Sequence, residues 1–376
     1  MKVLYVVTAL AMHGGIERVL VDKLNWLVDN GDYEVELLTV NQGLHPIVFP
    51  LDSRVGNHDL GIFFHHKYQF SGWKRICMEY RMHKLFQKRL EEWIKKLSPH
   101  IIVFTRLDFV YDVMKVRGDI PVVYESHSSC LSYKFENENW LHRFQFSFWH
   151  NVIKNTKMVV ALTQGDAEEW RKITPNVTVI PNVVHQNDTG CISDCRSKSA
   201  IFVGRYSYQK DVRTLLQIWD FVYQRHPDWH LHLYGDYGDE REILVPQIKS
   251  MKKNVVVHEP TSKIYKEYLN GSMLLLTSRY EPFGLVLPEA MSCGLPVVAF
   301  DCPYGPADII SDGVDGFLIR DRSVDEFANK VCLLMESENL RRKMGNAGAL
   351  SSQRYQTSCV MPLWIELFDK LCLNNK

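Results

Sequence analysis

The sequence predicts an α/β protein built from two doubly wound parallel sheets. Short β-branched runs alternate with helical apolar patterns along the 376 residues, and the alternation lapses once, in a polar stretch between residues 184 and 199. Alternating strands and helices imply right-handed βαβ units and therefore parallel strands. A chain of this length is too long for one ordinary α/β domain and comfortable for two.

We place the domain boundary in that polar stretch. Residues 1–185 are predicted to form a first Rossmann-like domain and residues 186–355 a second, while residues 356–376 form a helix that could pack back on the first. The predicted strands are Val3–Val7, Val35–Val40, Ile101–Phe104, Val122–Tyr124, Met158–Leu162, Ile201–Val203, His230–Tyr234, Val255–Val257, Met273–Thr277 and Val297–Phe300. Ligands of open parallel sheets bind beyond the carboxyl ends of the strands, so two facing sheets would share one central cleft.

Composition excludes several classes of protein. Lys plus Arg equals Asp plus Glu at 44 each, so no global field favours nucleic acid. The nine cysteines are odd in number, scattered and mostly inside apolar runs, which is typical of reduced cysteines in a cytosolic protein. No apolar run approaches the ~18 residues that a membrane span needs. We expect a soluble cytoplasmic protein that touches a membrane only at its surface.

Cys191, Cys195 and His185 raise the question of a metal site in the polar stretch. No fourth ligand has a suitable spacing. We therefore interpret the stretch as a linker that contains two thiols, and we predict no metal site.

Gly14 and Gly15 follow the first predicted strand and precede the first predicted helix. Glycine lets the backbone pass close to a ligand, and a helix N-terminus offers N–H groups to a phosphate. Tight turns need glycine too, so the pair alone is a weak indication. The segment is not a G-x-G-x-x-G fingerprint, which argues against a dinucleotide cofactor.

Two cations open the second domain. Arg205 and Lys210 lie five residues apart on the loop after the strand Ile201–Val203. Arginine can bind a diphosphate as a bidentate fork and lysine as a point charge. Two solvated charges would give the same pattern, and it is the strand-to-helix position that favours a phosphate site.

The most informative segment runs from residue 277 to residue 291, TSRYEPFGLVLPEAM. A buried strand is predicted to end at Thr277 and a helix to open at Gly284. Gly294 and Pro296 would close that helix. The segment is therefore a strand, a short loop and a helix in immediate succession.

Two carboxylates flank the start of that helix. Glu281 lies in the loop and Glu289 about one turn inside the helix, while the N–H groups of Phe283, Gly284 and Leu285 point out of the helix start. This arrangement predicts an anion site able to hold phosphate and sugar hydroxyls together. A capped surface helix is the alternative, and the EPFG loop after an apolar strand argues against it.

Glu281 to Glu289 resembles the E-x7-E pattern of retaining GT-B glycosyltransferases, and EPFGLVLPEAM resembles glycosyltransferase family 4. Further pieces occur in the family's order: Gly14-Gly15, Ile180-Pro181-Asn182, Gly204-Arg205, Lys210, the run SCGLPVV at 292–298 and DGVDG at 312–316. The resemblance implies the GT-B fold, with two Rossmann-like domains facing a central cleft. It also implies a retaining hexosyltransferase of bacterial polysaccharide or glycan assembly.

The resemblance implies a role for each candidate residue of the donor site. Gly14 and Gly15 would approach the donor phosphates, and Arg205 and Lys210 would neutralise the diphosphate leaving group. Glu281, with the amides of its loop, would hold the transferred sugar and the distal phosphate, and Glu289 would grip the ribose. The amides in question are those of Phe283, Gly284 and Leu285.

His127 resembles the family's active-site histidine beside the donor sugar. It lies in the run ESHS, just after the predicted strand Val122–Tyr124. Taken alone it would be an ordinary loop histidine. With the family order, the catalytic set becomes His127, Arg205, Lys210 and Glu281.

The expected substrates are a nucleotide sugar, of the UDP-hexose type, and a saccharide acceptor. Galactose, glucose and N-acetylhexosamine donors all stay open. The sequence lacks an Asp-x-Asp motif, so cationic side chains would take the place of a metal ion at the diphosphate. A UDP-sugar epimerase and a non-catalytic UDP-sugar-binding protein are the alternatives.

A lipid-linked saccharide is an alternative acceptor, and residues 62–100 supply a basis for membrane contact. This range holds nine Lys and Arg against three Glu, a local balance of +6, within a helical pattern from Trp73 to Leu97. A basic amphipathic helix can lie on anionic lipid. A core-packing helix with a solvated basic face is the alternative. We expect at most peripheral association with the inner face of the membrane.

Overall fold

The computed structural model describes residues 1–131, 140–185, 187, 190–235, 238–251 and 253–373, without the side chains of residues 140–143. The chain divides into two compact units. The first unit contains Met1–Val183 and Val360–Lys376, and the second contains Val184–Cys359.

The first unit is built from seven strands and the helices that connect them. Its strands are β1 Lys2–Val7, β2 Glu34–Thr39, β3 Gly56–Asp59, β4 Ile101–Phe104, β5 Val122–Glu125, β6 Met158–Ala161 and β7 Val177–Val179. Its helices up to the boundary are α1 Gly15–Asn30, α2 Gly72–Leu97, α3 Val110–Val116, α4 Trp140–Ile153 and α5 Gln164–Arg171.

The second unit repeats this plan with six strands. They are β8 Ser199–Val203, β9 His230–Tyr234, β10 Val255–His258, β11 Met273–Leu276, β12 Val297–Phe300 and β13 Gly316–Ile319. Its helices are α6 Val212–Arg225, α7 Arg241–Met251, α8 Ile264–Asn270, α9 Val286–Ser292, α10 Gly305–Ile309, α11 Val324–Glu336 and α12 Glu338–Ser351. The last helix, α13 Thr357–Leu373, carries the chain back into the first unit.

Both sheets are entirely parallel, and the six strands of the second have the same order as the first six strands of the first. The first runs β3-β2-β1-β4-β5-β6-β7 and the second β10-β9-β8-β11-β12-β13. The predicted class of two doubly wound parallel sheets is therefore confirmed. In each sheet the order reverses between the first and fourth strands, β1 and β4 or β8 and β11. Ligands of such folds bind at this reversal, beyond the carboxyl ends of the strands.

Alternate residues of each central strand of the first sheet enter different cores. Val3, Tyr5 and Val7 of β1 join the core that α1 and α13 cover. Leu4 and Val6 join the core on the opposite face, with α2, α3 and α5. A strand that is buried on both faces is apolar at every position, which is why these strands are readable from sequence.

Three strands were not predicted from the sequence, and all three lie at sheet edges. They are β3, β7 and β13. The sequence of β3, GNHD, has no apolar residue, and the strand forms because β2 offers it a parallel partner from Glu36 to Thr39. Pairing overrode local preference there.

Among the described helices, none combines the length and the apolar character needed to cross a membrane.

Candidate active site

The predicted donor residues of the second unit lie at the reversal of its sheet. Arg205 and Lys210 follow β8, and Glu281 follows β11. The two strands are hydrogen-bonded neighbours, with Met273 opposite Ala200. Their carboxyl ends therefore bring both loops to the same edge of the sheet, where such folds bind ligands.

Lys210 and Glu281 form an ion pair through Nζ and Oε1. The Glu281 side chain is almost fully buried, and the hydroxyl of Ser278 donates a hydrogen bond of 2.6 Å to the same Oε1. The Glu281 backbone is fixed as well, because its N–H donates to the carbonyl of Pro303 at 2.7 Å. The sequence did not predict this pairing across 71 positions, although both residues were in the predicted site.

Arg205 has different surroundings. Its side chain is exposed, and its Nη2 donates a hydrogen bond of 3.1 Å to Oε1 of Gln209. Gln209 in turn donates to the carbonyl of Tyr280 at 3.1 Å, which ties the two loops together. Arg205 is therefore available to an anion that arrives from solvent.

Asp211 connects three loops at this edge and had no predicted role. It is buried, and its Oδ2 lies 2.9 Å from Nη2 of Arg279 and 2.6 Å from Nη2 of Arg322. Arg322 also donates to the carbonyl of Ser278 at 2.8 Å. Nothing in the sequence near Arg322 indicated this contact, because it spans 111 positions.

The loops together carry an excess of positive charge. Four cations face two carboxylates: Arg205, Lys210, Arg279 and Arg322 against Asp211 and Glu281. The net charge of this group is +2. Lys210, Arg279 and Arg322 contact the two carboxylates, whereas Arg205 is exposed and donates to Gln209. Such an edge attracts a polyanion such as a diphosphate.

The helix of the E-x7-E segment begins two residues later than predicted. It spans Val286–Ser292, with Leu285 as its N-cap residue. Gly284 does not open the helix but precedes it at φ +91°, a backbone conformation that favours glycine. The amide direction in this loop is thus set by Gly284 rather than by a helical turn, and the helix has only seven residues.

The other predicted residues of this segment lie on either side of that helix start. The Phe283 ring is buried edge-on against Tyr355 at 5.3 Å between ring centroids. Glu289 lies in the first turn and is half-buried, with Tyr268 donating a hydrogen bond of 3.4 Å to its Oε2. Glu281 and Glu289 therefore bracket the loop, each already held by a neighbouring side chain.

In the first unit, Gly14 is the N-cap residue of α1, which begins at Gly15. A Cβ at Gly14 would lie 2.2 Å from Oε2 of Glu17, so glycine is needed for the Glu17 carboxylate to fold back over the loop. Burial raises the pKa of Glu17, and the nearby His127 opposes that effect.

His127 is 8 % exposed and follows β5, two strands from Gly14–Gly15 in the same sheet. Its Nε2 lies 3.2 Å from Oε1 of Glu125. Neither ring nitrogen has an aligned hydrogen-bond partner among the described residues. A buried imidazole with open hydrogen-bonding capacity at the carboxyl edge of a sheet is suited to a polar ligand.

The linker residues Cys191, Cys195 and His185 lie in the described part of the chain. Cys195 is buried, with its thiol 3.4 Å from the carbonyl of Gly294. Within the described part of the chain, no cluster of three or more His, Cys, Asp or Glu residues is arranged to hold a metal ion.

Two family models match the chain. The model of Glycosyltransferase Family 4 matches residues 13–187, and that of Glycosyl transferases group 1 matches residues 174–350. They meet at the boundary between the two units and together leave only the first twelve residues and the C-terminal segment unmatched. The second model includes the whole set of loops around Arg205 and Glu281.

Individual relatives agree with this. The amylovoran biosynthesis glycosyltransferase AmsD of Erwinia amylovora is 26 % identical over 98 % of this chain and 99 % of its own. The lipopolysaccharide 1,6-galactosyltransferase of Salmonella typhimurium is 24 % identical over 73 % of this chain and 70 % of its own.

A solved structure of S. aureus TarM, whose ligands include UDP and alpha-GlcNAc-glycerol, superposes with a TM-score of 0.79. It is 15 % identical and covers 98 % of this chain and 99 % of that one. At this identity the likeness concerns the fold. With the two parallel sheets and both family models, it makes this chain a GT-B glycosyltransferase that resembles those of bacterial glycan biosynthesis.

Proposed function

We propose that the chain transfers a hexose from a UDP donor to a saccharide acceptor, with retention of anomeric configuration and without a metal ion. The observation that carries the proposal is the charge of +2 at the reversal of the second sheet, where Arg205 is free to meet a diphosphate. Preorganised cations stabilise the charge that a leaving diphosphate acquires in the transition state.

The paired residues have a complementary task in this proposal. In this structure Glu281 pairs with Lys210, and the hydroxyl of Ser278 donates to the same carboxylate oxygen. A bound diphosphate would draw Lys210 toward itself and release Glu281 to accept hydrogen bonds from sugar hydroxyls. Glu289, one turn into α9, is proposed to bind the ribose, and the amides of Phe283 to Leu285 the distal phosphate.

The proposed reaction takes place on one face of the sugar. The acceptor hydroxyl oxygen forms a bond to the anomeric carbon while the bond from that carbon to the phosphate oxygen breaks. The acceptor proton passes to the departing phosphate oxygen, so UDP leaves with it. His127 is proposed to hold a hydroxyl of the transferred sugar.

The named relatives support the substrate classes. TarM was solved with UDP, and the Salmonella protein is a galactosyltransferase of lipopolysaccharide. AmsD serves amylovoran biosynthesis. We infer a UDP-hexose donor, galactose-, glucose- or N-acetylhexosamine-type, and a role in bacterial polysaccharide or glycan assembly.

The test is a panel of UDP- and GDP-sugars, each incubated with and without saccharide acceptors, in which released nucleotide and the product linkage are measured. We expect UDP release with one UDP-hexose, an α-linked product from an α-linked donor, and unchanged rates in excess EDTA. Activity that is lost in EDTA and restored by Mn²⁺ or Mg²⁺ would contradict the metal-free site.

Two other outcomes of the same panel correspond to the alternative functions. Conversion of one UDP-sugar into another without any acceptor would identify an epimerase. Tight UDP binding, measured by calorimetry, without turnover of any donor would identify a binding protein.

We further propose that the first unit contacts an anionic membrane, as a lipid-linked acceptor would require. Of the 26 residues of α2, the first 14 include no buried one, and Trp73, Ile76 and Tyr80 form an exposed apolar stripe. Lysines lie beside exposed tyrosines on α2 and on α3. Lys84 Nζ is 5.4 Å from the centroid of the Tyr80 ring, and Lys115 Nζ is 5.6 Å from that of the Tyr111 ring. Aromatic side chains among lysines suit the interface of an anionic bilayer.

A further inference from the structure

The first unit contains an ion pair that is almost completely shielded from water. Lys23 of α1 is 1 % exposed and Glu125, the last residue of β5, is 2 % exposed. The Lys23 ammonium binds Oε2 of Glu125. No sequence pattern indicated the pair, because its members lie 102 positions apart and each looks like an ordinary surface charge.

Aromatic rings close the space around Lys23. Its Nζ lies 4.1 Å from the ring centroid of Trp364 on α13 and 4.9 Å from that of Tyr5 on β1. These contacts stabilise the ammonium, as a cation over a ring face is attracted by the ring quadrupole. Side chains from three separate elements, β1, β5 and α13, therefore stabilise the charged form of one buried lysine.

Stability alone is a poor account of this arrangement. Removing two charges from water costs several kcal/mol per ion, and an apolar pair of similar volume is often as stable or more so. The burial of Lys23 lowers the pKa of its ammonium, which the Glu125 charge opposes. The attraction to Glu125 therefore offsets part of the cost of burying Lys23. The Glu125 carboxylate also has a second neighbour.

The second carboxylate oxygen of Glu125 faces His127. Oε1 lies 3.2 Å from Nε2 of the imidazole, while Oε2 holds Lys23. Burial would raise the pKa of Glu125, but the charge of Lys23 holds it well below its usual range. Without Lys23, the negative charge of Glu125 would act on the imidazole of His127 without compensation.

We propose that Lys23 is a positioning residue for His127. It binds Oε2 of Glu125 and so fixes the carboxylate whose Oε1 lies 3.2 Å from Nε2 of the imidazole, and it compensates the charge that this carboxylate places beside the ring. Nδ1 of the ring is then placed to accept a hydrogen bond from a hydroxyl of the bound saccharide. The saccharide part of this inference rests on the proposed function; the effect of Lys23 on the protonation of His127 does not.

The groups that surround His127 in the described part of the first unit are few. They are Glu125 on β5, Glu17 and Lys23 on α1, and Tyr5 on β1 below Glu125. The Tyr5 hydroxyl is buried and has no hydrogen-bond partner among the described residues. Its pKa is raised well above 10, mainly by burial and secondly by the charge of Glu125. Lys23 is the only cation among them, so its removal makes the charge around the imidazole more negative.

The expected result is a change of pH dependence. In Lys23→Met the uncompensated Glu125 stabilises the protonated ring, so His127 should titrate at a pH about one unit higher or more. A ring that is protonated at both nitrogens has no acceptor. Sugar transfer should fall about tenfold at pH 7 through kcat and recover as the pH is raised.

The experiment follows His127 directly by NMR of protein with labelled histidine, its signal identified by its absence in His127→Gln. The variants are Lys23→Met, Lys23→Arg as the conservative replacement, and Lys23→Met with Glu125→Gln, which removes both charges. We expect a raised midpoint in the first variant only. Circular dichroism checks that each variant is folded, and kcat and KM are measured from pH 5.5 to about 9.

A His127 midpoint in Lys23→Met that equals the wild-type value would overturn the inference, since Glu125 would then have taken up a proton itself. The same conclusion would follow if the double variant lost as much activity as Lys23→Met with no displaced pH profile. If no donor is turned over by the wild-type protein, the proposed function fails, but the NMR titration still decides the role of Lys23.

Discussion

Arg205 and Lys210 lie five residues apart on one loop, yet their environments are unlike. Among the described residues, the exposed Arg205 side chain donates to a neutral glutamine, whereas Lys210 is largely buried against Glu281. A sequence pattern that treats them as two equal phosphate ligands therefore merges two roles. Arg205 can act on the ligand alone, while Lys210 is also part of the protein's internal electrostatics.

Substitution should separate the two roles. Arg205→Ala should lower kcat by about 10²–10³, the effect of removing one preorganised transition-state donor, and should leave the free energy of unfolding unchanged. Lys210→Ala should lower activity as much and also destabilise the protein by about 3 kcal/mol, because Glu281 is left buried without its cation. Steady-state kinetics and urea unfolding measure the two quantities.

The matched control is Arg213→Ala, which removes an exposed arginine three residues beyond Lys210 that pairs with Glu240. It should change neither quantity appreciably. If Arg205→Ala retains activity within a factor of two of wild type, the diphosphate assignment is wrong.

At the scale of elements, the two halves of helix α2 have different surroundings. Its second half is anchored in the first unit by Phe86, Leu90 and Ile94. Two residues within the range 62–100, which the sequence predicts for membrane contact, belong to this anchor. The Trp93 ring lies tilted against His58 at 4.1 Å between ring centroids, and Arg89 donates to the backbone carbonyl of Leu60. The exposed half alone can meet a membrane.

This division sharpens the test of membrane contact. Replacing Lys74, Arg75, Arg81 and Lys84 by Gln should abolish binding to anionic vesicles, since a basic residue near such a surface contributes about 1 kcal/mol. Vesicle sedimentation should show wild-type binding that falls steeply with salt. Arg89 is left in place because its loss would disturb the fold.

A control with the same loss of charge replaces Lys249, Lys263, Lys266 and Lys343, all exposed on the second unit. This variant should bind vesicles as the wild type does. Wild-type protein that stays in the supernatant at low salt would leave α2 as a solvated helix and favour a soluble acceptor.

At the scale of the whole molecule, the chain leaves the first unit once and returns to it. Helix α13 buries Val360, Trp364 and Phe368 in the core formed by β1 and α1. The core of the first unit therefore depends on α13. Trp364 also covers Lys23, so the C-terminal helix supports the environment of His127.

Removing one buried aromatic ring from α13 should show that this helix belongs to the first unit. Phe368→Ala should destabilise the first unit by about 3–5 kcal/mol. Hydrogen exchange measured by mass spectrometry should quicken in β1 and α1, far from Phe368 in sequence, and stay unchanged in β8 and α6. Phe327→Ala, a fully buried ring of the second core, should give the reverse pattern. Equal protection losses in both units would contradict the division.

The sequence alone determined the fold class and the neighbourhood of the donor site. Central strands such as β1 and β11 are buried on both faces, so their apolar runs are legible without any partner. The loop from Tyr280 to Gly284 could be placed after a strand because it directly follows such a run. The fine geometry was less accessible, since α9 begins at Val286 and Gly284 adopts a positive φ instead of opening the helix.

The tertiary structure decided which charges meet. Lys23 and Glu125, Lys210 and Glu281, and Asp211 and Arg322 are separated by 102, 71 and 111 positions. The edge strand β3 likewise exists only because β2 lies beside it. Local patterns record which face of an element is buried, but the energy of an ion pair or a strand pairing depends on distance and on exclusion of water. Those quantities are set when parallel strands bring remote loops to one edge of a sheet.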